Sequence, residues 1–214
     1  PRFACDSGMK TTWFVAAALL LFAVSCLCQC ADRNGKYPVA GQCDAYVECL
    51  DGIPYQRTCP DGLLFKDNYK RGYPCGYPQE VNCEGRAAIQ SPQPTGDCPR
   101  KFGLFAIGAP NDCGTFMNCA HGRSYIQICP EGLAFNQDTL ECDWPDLVPT
   151  CDAEAFLGFR CPDNLPESRH ASGQCDKYFV CLNGRPRLLR CPSKEAFNPE
   201  TWSCEDAKNV RNCF

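Results

Sequence analysis

Histidine and methionine are scarce here, with two of each in 214 residues. After residue 29 no two cysteines stand in a Cys-x-x-Cys pair, and the only histidines are His121 and His170. Structural zinc asks for closely paired thiolates, often with histidine, so the pattern argues against a metal site. Basic runs are missing as well, which argues against nucleic acid and anionic membranes as partners. No apolar stretch follows residue 24, so no later segment reads as a membrane span. No Asn-x-Ser/Thr sequon and no Ser/Thr-rich tract occurs, which disfavours a heavily glycosylated mucin. The acidic residues are dispersed and never repeat as the carboxylate pair of glycosidase chemistry. Neither histidine recurs beside a nucleophile, so no catalytic residue is assigned and no cofactor is expected.

Cysteine is what the chain has in excess. Its 21 cysteines are close to one residue in ten, the density of a disulfide scaffold. Such a scaffold persists in an oxidising compartment. Met9-Lys10, the apolar run Trp13–Val24 and the small residues Ser25 and Cys26 follow the order of a secretory signal peptide. Residues 1–28 are therefore read as a leader, with residues 1–8 outside the natural product and cleavage between Ser25 and Gln29. Arg2, Lys10 and Asp6 fall in that leader. Without them 21 basic residues become 19 and 25 acidic become 24, a net charge of −5. The expected product is secreted, soluble and unanchored.

The remaining cysteines expose a threefold repeat. Cys30, Cys43, Cys49, Cys59, Cys75 and Cys83 are separated by 12, 5, 9, 15 and 7 residues. Cys98, Cys113, Cys119, Cys129, Cys142 and Cys151 follow with 14, 5, 9, 12 and 8. Cys161, Cys175, Cys181, Cys191, Cys204 and Cys213 follow with 13, 5, 9, 12 and 8. Eighteen cysteines are thus used, and the other three, Cys5, Cys26 and Cys28, lie in the leader. The modules span 30–83, 98–151 and 161–213, joined by linkers 84–97 and 152–160. The first linker, with Pro92, Pro94, Gly85 and Gly96, reads as extended and mobile. The second carries Phe156, Leu157 and Phe159, which can dock the second and third modules together.

Asp51-Gly52, His121-Gly122 and Asn183-Gly184 sit between the third and fourth cysteines of the modules. Asp-Gly and Asn-Gly suit a type I′ turn, so each module should centre on a β-hairpin, with Tyr46–Leu50 and Ile53–Cys59 as strands of the first. The expected fold class is small, disulfide-rich and mainly β: three tandem six-cysteine modules, each with a central hairpin and at most a brief helical turn. A module of about 54 residues buries too little apolar surface to stand alone, and each crosslink adds on the order of 3–4 kcal/mol in the chain-entropy model. Six cysteines allow about 15 pairings, among which spacing does not choose.

Aromatic residues recur at fixed slots. Phe65, Phe135 and Phe197 follow the fourth cysteine and are expected to pack on the crosslinks. Tyr46, Phe116 and Tyr178 lie at the hairpin and suit either core or ligand. Tyr55 and Tyr125 occupy the second hairpin strand, where the third module has Arg187. Tyr77 and Trp144 stand two residues after the fifth cysteine, whereas Trp202 stands two residues before Cys204. Rigid exposed rings suit the apolar face of a pyranose, and tandem weak modules on a repeating polymer gain avidity.

The cysteine order, together with Cys43-Asp-Ala-Tyr46, Cys59-Pro-Asp-Gly-Leu-Leu-Phe65 and Cys142-Asp-Trp-Pro145, resembles the peritrophin-A type of chitin-binding domain. Three such domains behind a signal peptide resemble the insect obstructor group of cuticular proteins. The resemblance implies chitin as ligand and an extracellular matrix such as cuticle; other matrix proteins are candidate further partners. It implies that Tyr46, Tyr55, Tyr77, Phe116, Tyr125, Trp144 and Tyr178 bind chitin. It also implies pairing of first with third, second with sixth and fourth with fifth cysteines. That gives Cys30–Cys49, Cys43–Cys83, Cys59–Cys75, Cys98–Cys119, Cys113–Cys151, Cys129–Cys142, Cys161–Cys181, Cys175–Cys213 and Cys191–Cys204. The third module departs at Arg187, at Ser193-Lys194 and at Cys204-Glu-Asp-Ala. The resulting expectation is a non-enzymatic structural protein linking chitin fibres. A scaffold recruiting chitin-modifying proteins and a disulfide-rich protease inhibitor are the rival readings.

Overall fold

Asp51, His121 and Asn183 adopt φ of 52°, 53° and 51°, and the glycines after them 86°, 77° and 75°. Two successive left-handed residues make the type I′ turn whose twist matches the strands it joins. Each turn closes a hairpin, in a computed structural model that describes residues 30–67 and 72–211. The leader 1–28 and the Cys175–Cys213 pair involve residues outside the described ones.

One plan recurs three times. In the first module β1 (Gly35–Val39), β2 (Gln42–Leu50) and β3 (Ile53–Thr58) form a three-stranded antiparallel sheet, and β4 (Leu64–Phe65) pairs with β5 (Cys75–Gly76). The second has β6 (Gly103–Ala106), β7 (Thr115–Ala120) and β8 (Arg123–Ile128), then β9 (Ala134–Asn136) with β10 (Glu141–Asp143). The third has β11 (Ser168–Ala171), β12 (Lys177–Leu182) and β13 (Arg185–Arg190), then β14 (Glu195–Asn198) with β15 (Ser203–Asp206). The class is mainly β, as the sequence indicates. A single 3-10 turn follows the second hairpin of each module, at Pro78–Glu80, Pro145–Leu147 and Ala207–Asn209.

Eight disulfides join described residues: Cys30–Cys49, Cys43–Cys83, Cys59–Cys75, Cys98–Cys119, Cys113–Cys151, Cys129–Cys142, Cys161–Cys181 and Cys191–Cys204. The module cores are correspondingly small. In the first, Cys59, Leu63, Phe65 and Cys75 form the buried cluster, with Tyr46, Tyr77 and Phe102 packed against it.

Two compact units make up the described chain, one of residues 30–94 with Pro99–Phe102, the other of Thr95–Cys98 with Gly103 onward. Within the first unit residues 86–93 of the stretch expected to be mobile are hydrogen-bonded to the first module. Ala88 pairs with Gln42 in a parallel bridge, and its carbonyl accepts from the Cys43 amide at 2.8 Å. Arg86 is 6% exposed and donates to Asp67 and to the Asn82 carbonyl. Asp44 and Asp61, each 1% exposed, receive the amides of Gln90 and Gln93 at 2.7 and 2.8 Å. Asp61 also accepts from Arg100 at 2.7 Å and from the Lys101 amide at 3.1 Å, which seats Pro99–Phe102. A buried carboxylate is stable only when so satisfied. Proline content suggested a free linker because composition does not reveal buried acceptors elsewhere in the chain.

In the second unit the segment between the modules forms α1 (Ala153–Leu157), capped by Asp152 and ended by a left-handed Gly158. Phe156 lies against Gly114 of the second module, and Phe159 stacks on Phe179 of the third at 4.3 Å.

Candidate carbohydrate-binding face

Side chains alternate across a strand, so cross-strand partners share a face. Tyr46 opposes Arg57, and Glu48 opposes both Tyr55 and Lys36. One face of the first sheet therefore carries Tyr46, Glu48, Tyr55 and Arg57. Tyr46 lies flat on buried Phe65, centroids 4.9 Å apart and planes 15° apart. Burial, with Glu48 adding to it, raises the Tyr46 phenol above its ordinary value. Glu48 accepts from Lys36 at 3.0 Å and from Arg57 at 3.2 Å, and these partners, Lys36 foremost, hold its carboxyl below the usual range. Arg57 also lies 5.7 Å from the ring centre of Tyr55. Tyr55 is 41% exposed, whereas Tyr77 is half-buried against the core cluster.

The second module repeats the arrangement. Phe116 stacks on buried Phe135 at 4.4 Å, and Asn118 opposes Tyr125, which is 52% exposed. Asn118 Oδ1 is buried and has no hydrogen-bond partner, the single such atom among the described residues. Gln137 ties its hairpin loop to the first strand of this sheet, donating to the Leu104 carbonyl and accepting from the Ala106 amide.

The third module keeps the stack and loses the open edge. Tyr178 lies on Phe197 at 4.7 Å. The residue in the Tyr55 and Tyr125 slot, Arg187, forms a two-pronged pair with Asp146 at 2.8 Å on both oxygens. Its guanidinium also lies 5.3 Å from the centre of the Trp144 ring. Asp146 raises the Arg187 pKa further above its ordinary value. On the other face of this sheet, Lys177 of β12 pairs with Glu131, and Gly132 packs against Leu188 of β13. The edge of β13 is thus clasped by the second module, and Trp144 is engaged there.

Chemically, each open face offers a flat ring on a rigid sheet beside fixed polar groups. The three stacked rings stand halfway between the alternatives the sequence leaves open, with one face on the core. Sequence reading missed Asp146 and the role of Arg187, because the partner lies 41 residues away. No group of three or more potential metal ligands is assembled among the described residues. None of their helices is long and apolar enough to cross a membrane.

A small three-stranded sheet, a second hairpin and this disulfide set define a disulfide-stapled carbohydrate-binding module. The chain belongs to the family described as Chitin binding Peritrophin-A domain, matching it over residues 28–83, 98–151 and 161–213. It is 44% identical over 204 residues to protein obstructor-E of Drosophila melanogaster, covering 87% of this chain and 82% of that protein. It is 31% identical over 148 residues to peritrophin-1 of Anopheles gambiae, covering 62% of this chain and 95% of that one. A probable endochitinase of Caenorhabditis elegans is 33% identical over 132 residues, only 20% of its own length. The chain is a chitin-binding structural protein with three tandem modules.

Proposed function

We propose that the protein is secreted, has no catalytic activity, and links chitin chains in an extracellular matrix such as cuticle. Chitin is held on the hairpin faces of the first two modules. Tyr46, Tyr55 and Tyr77 act in the first, and Phe116 and Tyr125 in the second, where Trp144 lies under Arg187. Tyr178 is the third module's contribution and the weakest, since the edge beside it is clasped. The observation that carries this reading is the pair of open faces, where Tyr55 and Tyr125 stand 41% and 52% exposed, the first beside Glu48 and the second beside Asn118. Two rings on one chain favour a repeating polymer, because the second contact forms at high effective concentration.

Sedimentation of oxidised protein with insoluble chitin, with cellulose as control, tests the proposal. Selective co-sedimentation without release of soluble sugar is expected. Equal partition onto both polymers, or release of oligosaccharide, would refute it. Other matrix proteins are proposed as additional partners, to be sought by chitin pull-down with and without them.

A further inference from the structure

The geometry points to a second carbohydrate site on the third module, a groove beneath Trp202 that takes an N-acetylated pyranose unit of a sugar chain. The choice of sugar rests on the chitin reading; the groove itself does not. It measures about 620 Å³, within the size range of small-molecule sites.

Its plate is the Trp202 indole, 50% exposed. Trp202 has φ 56°, and Leu140, at the corresponding place in the second module, has φ 59°. The turn therefore dictates this backbone, and only the side chain differs: Leu140 is half-buried whereas Trp202 projects. Arg169 fixes the plate by donating to the Trp202 carbonyl at 3.0 Å, and His170 meets the indole edge-on at 6.1 Å. Among the described residues the indole N–H has no hydrogen-bond partner, so it stays available as a donor.

The floor is apolar where the other modules are polar. Val180 stands in the register position of Glu48 and Asn118, opposite Arg187 as those oppose Tyr55 and Tyr125. Leu165 and Leu182 also line the groove, together with Glu167 and the hydroxyl residues Thr201 and Ser168. Apolar side chains accept an acetamido methyl, an indole face accepts the C–H face of the ring, and the Ser168 and Thr201 oxygens, whose protons go to Leu165 and Glu205, accept from ring hydroxyls. The exposed aromatic of this module has thus moved from the β13 edge, occupied by Arg187, to the β11 edge.

The test is titration of ¹⁵N-labelled oxidised protein with the N-acetylglucosamine trimer, following indole N–H resonances. The Trp202 signal is assigned with W202L, which installs the residue the second module tolerates at the same φ. The Trp202 signal should shift on titration, and W202L should weaken trimer binding in the third module about five- to tenfold. An unchanged Trp144 signal establishes that the variant is folded. A silent Trp202 signal with undiminished W202L binding, while the first two modules respond, overturns the groove alone. No response anywhere, with no sedimentation on chitin, overturns the groove and the chitin reading together.

Discussion

Arg187→Ala removes the guanidinium that pairs with Asp146 and covers Trp144. The Asp146 side chain is 6% exposed and that of Arg187 19%, so neither charge is well solvated. Removing one partner of such a pair leaves an uncompensated carboxylate and costs about 3–5 kcal/mol. Asp146→Ala leaves the more exposed arginine and costs about 2 kcal/mol, the range of a hydrogen bond to a charged group. The double variant leaves no orphaned charge. Its cost should therefore fall short of the sum by about 2 kcal/mol, the coupling of residues in direct contact. Urea denaturation of the oxidised protein, followed by Trp144 fluorescence, reads each value. Additive single costs, with coupling below about 0.5 kcal/mol, would refute the claim that this pair clasps the second module to the third.

Gly62 has φ 96°, and a Cβ there would lie 1.8 Å from the Phe102 carbonyl oxygen. Gly62→Ala should destabilise by about 2 kcal/mol or more and free Pro99–Phe102, seen as faster hydrogen exchange at Lys101 and Phe102. The third module holds Lys194 at φ 71° in this slot, so Lys194→Gly should stabilise by about 1 kcal/mol in urea denaturation. Glu48 titrates below its unfolded value, so its contribution is complete above about pH 4.3 and disappears as pH falls through the folded value. Glu48→Gln should accordingly flatten the acid limb of a stability–pH profile and leave the neutral region's slope unchanged. An unaltered acid limb would refute that assignment.

Much of the fold was legible because its determinants are local. The two left-handed residues of each turn are written as Asp-Gly, His-Gly and Asn-Gly, and each pair lies inside the invariant spacing of 9 that follows the invariant 5. The first hairpin strand, expected to begin at Tyr46, begins at Gln42, because Ala88 and β1 pair with Gln42, while its pairing with β3 begins at Ala45. Non-local chemistry was not legible. Asp44 and Asp61 stand in the sequence only as members of motifs beside cysteines, yet their burial turns a proline-rich stretch into a hydrogen-bonded strap. Arg187 read only as a missing aromatic, since nothing near it in the chain announces Asp146 or Trp144. Trp202 read as a displaced family tryptophan, and only the arrangement of Arg169 and Val180 around it gives it a groove.

The most direct test replaces the two exposed rings that stack on nothing in the core. Tyr55→Ala and Tyr125→Ala should leave stability within about 0.5 kcal/mol of the parent, because both are surface positions. Tyr46 and Phe116 do not allow this comparison, since their stacks on Phe65 and Phe135 are structural. In a chitin-binding isotherm each single substitution should weaken affinity about tenfold, and the double should lose about a hundredfold or more as avidity disappears. A folded double variant that binds chitin like the parent would contradict the account, because the open hairpin faces would then not hold the polymer.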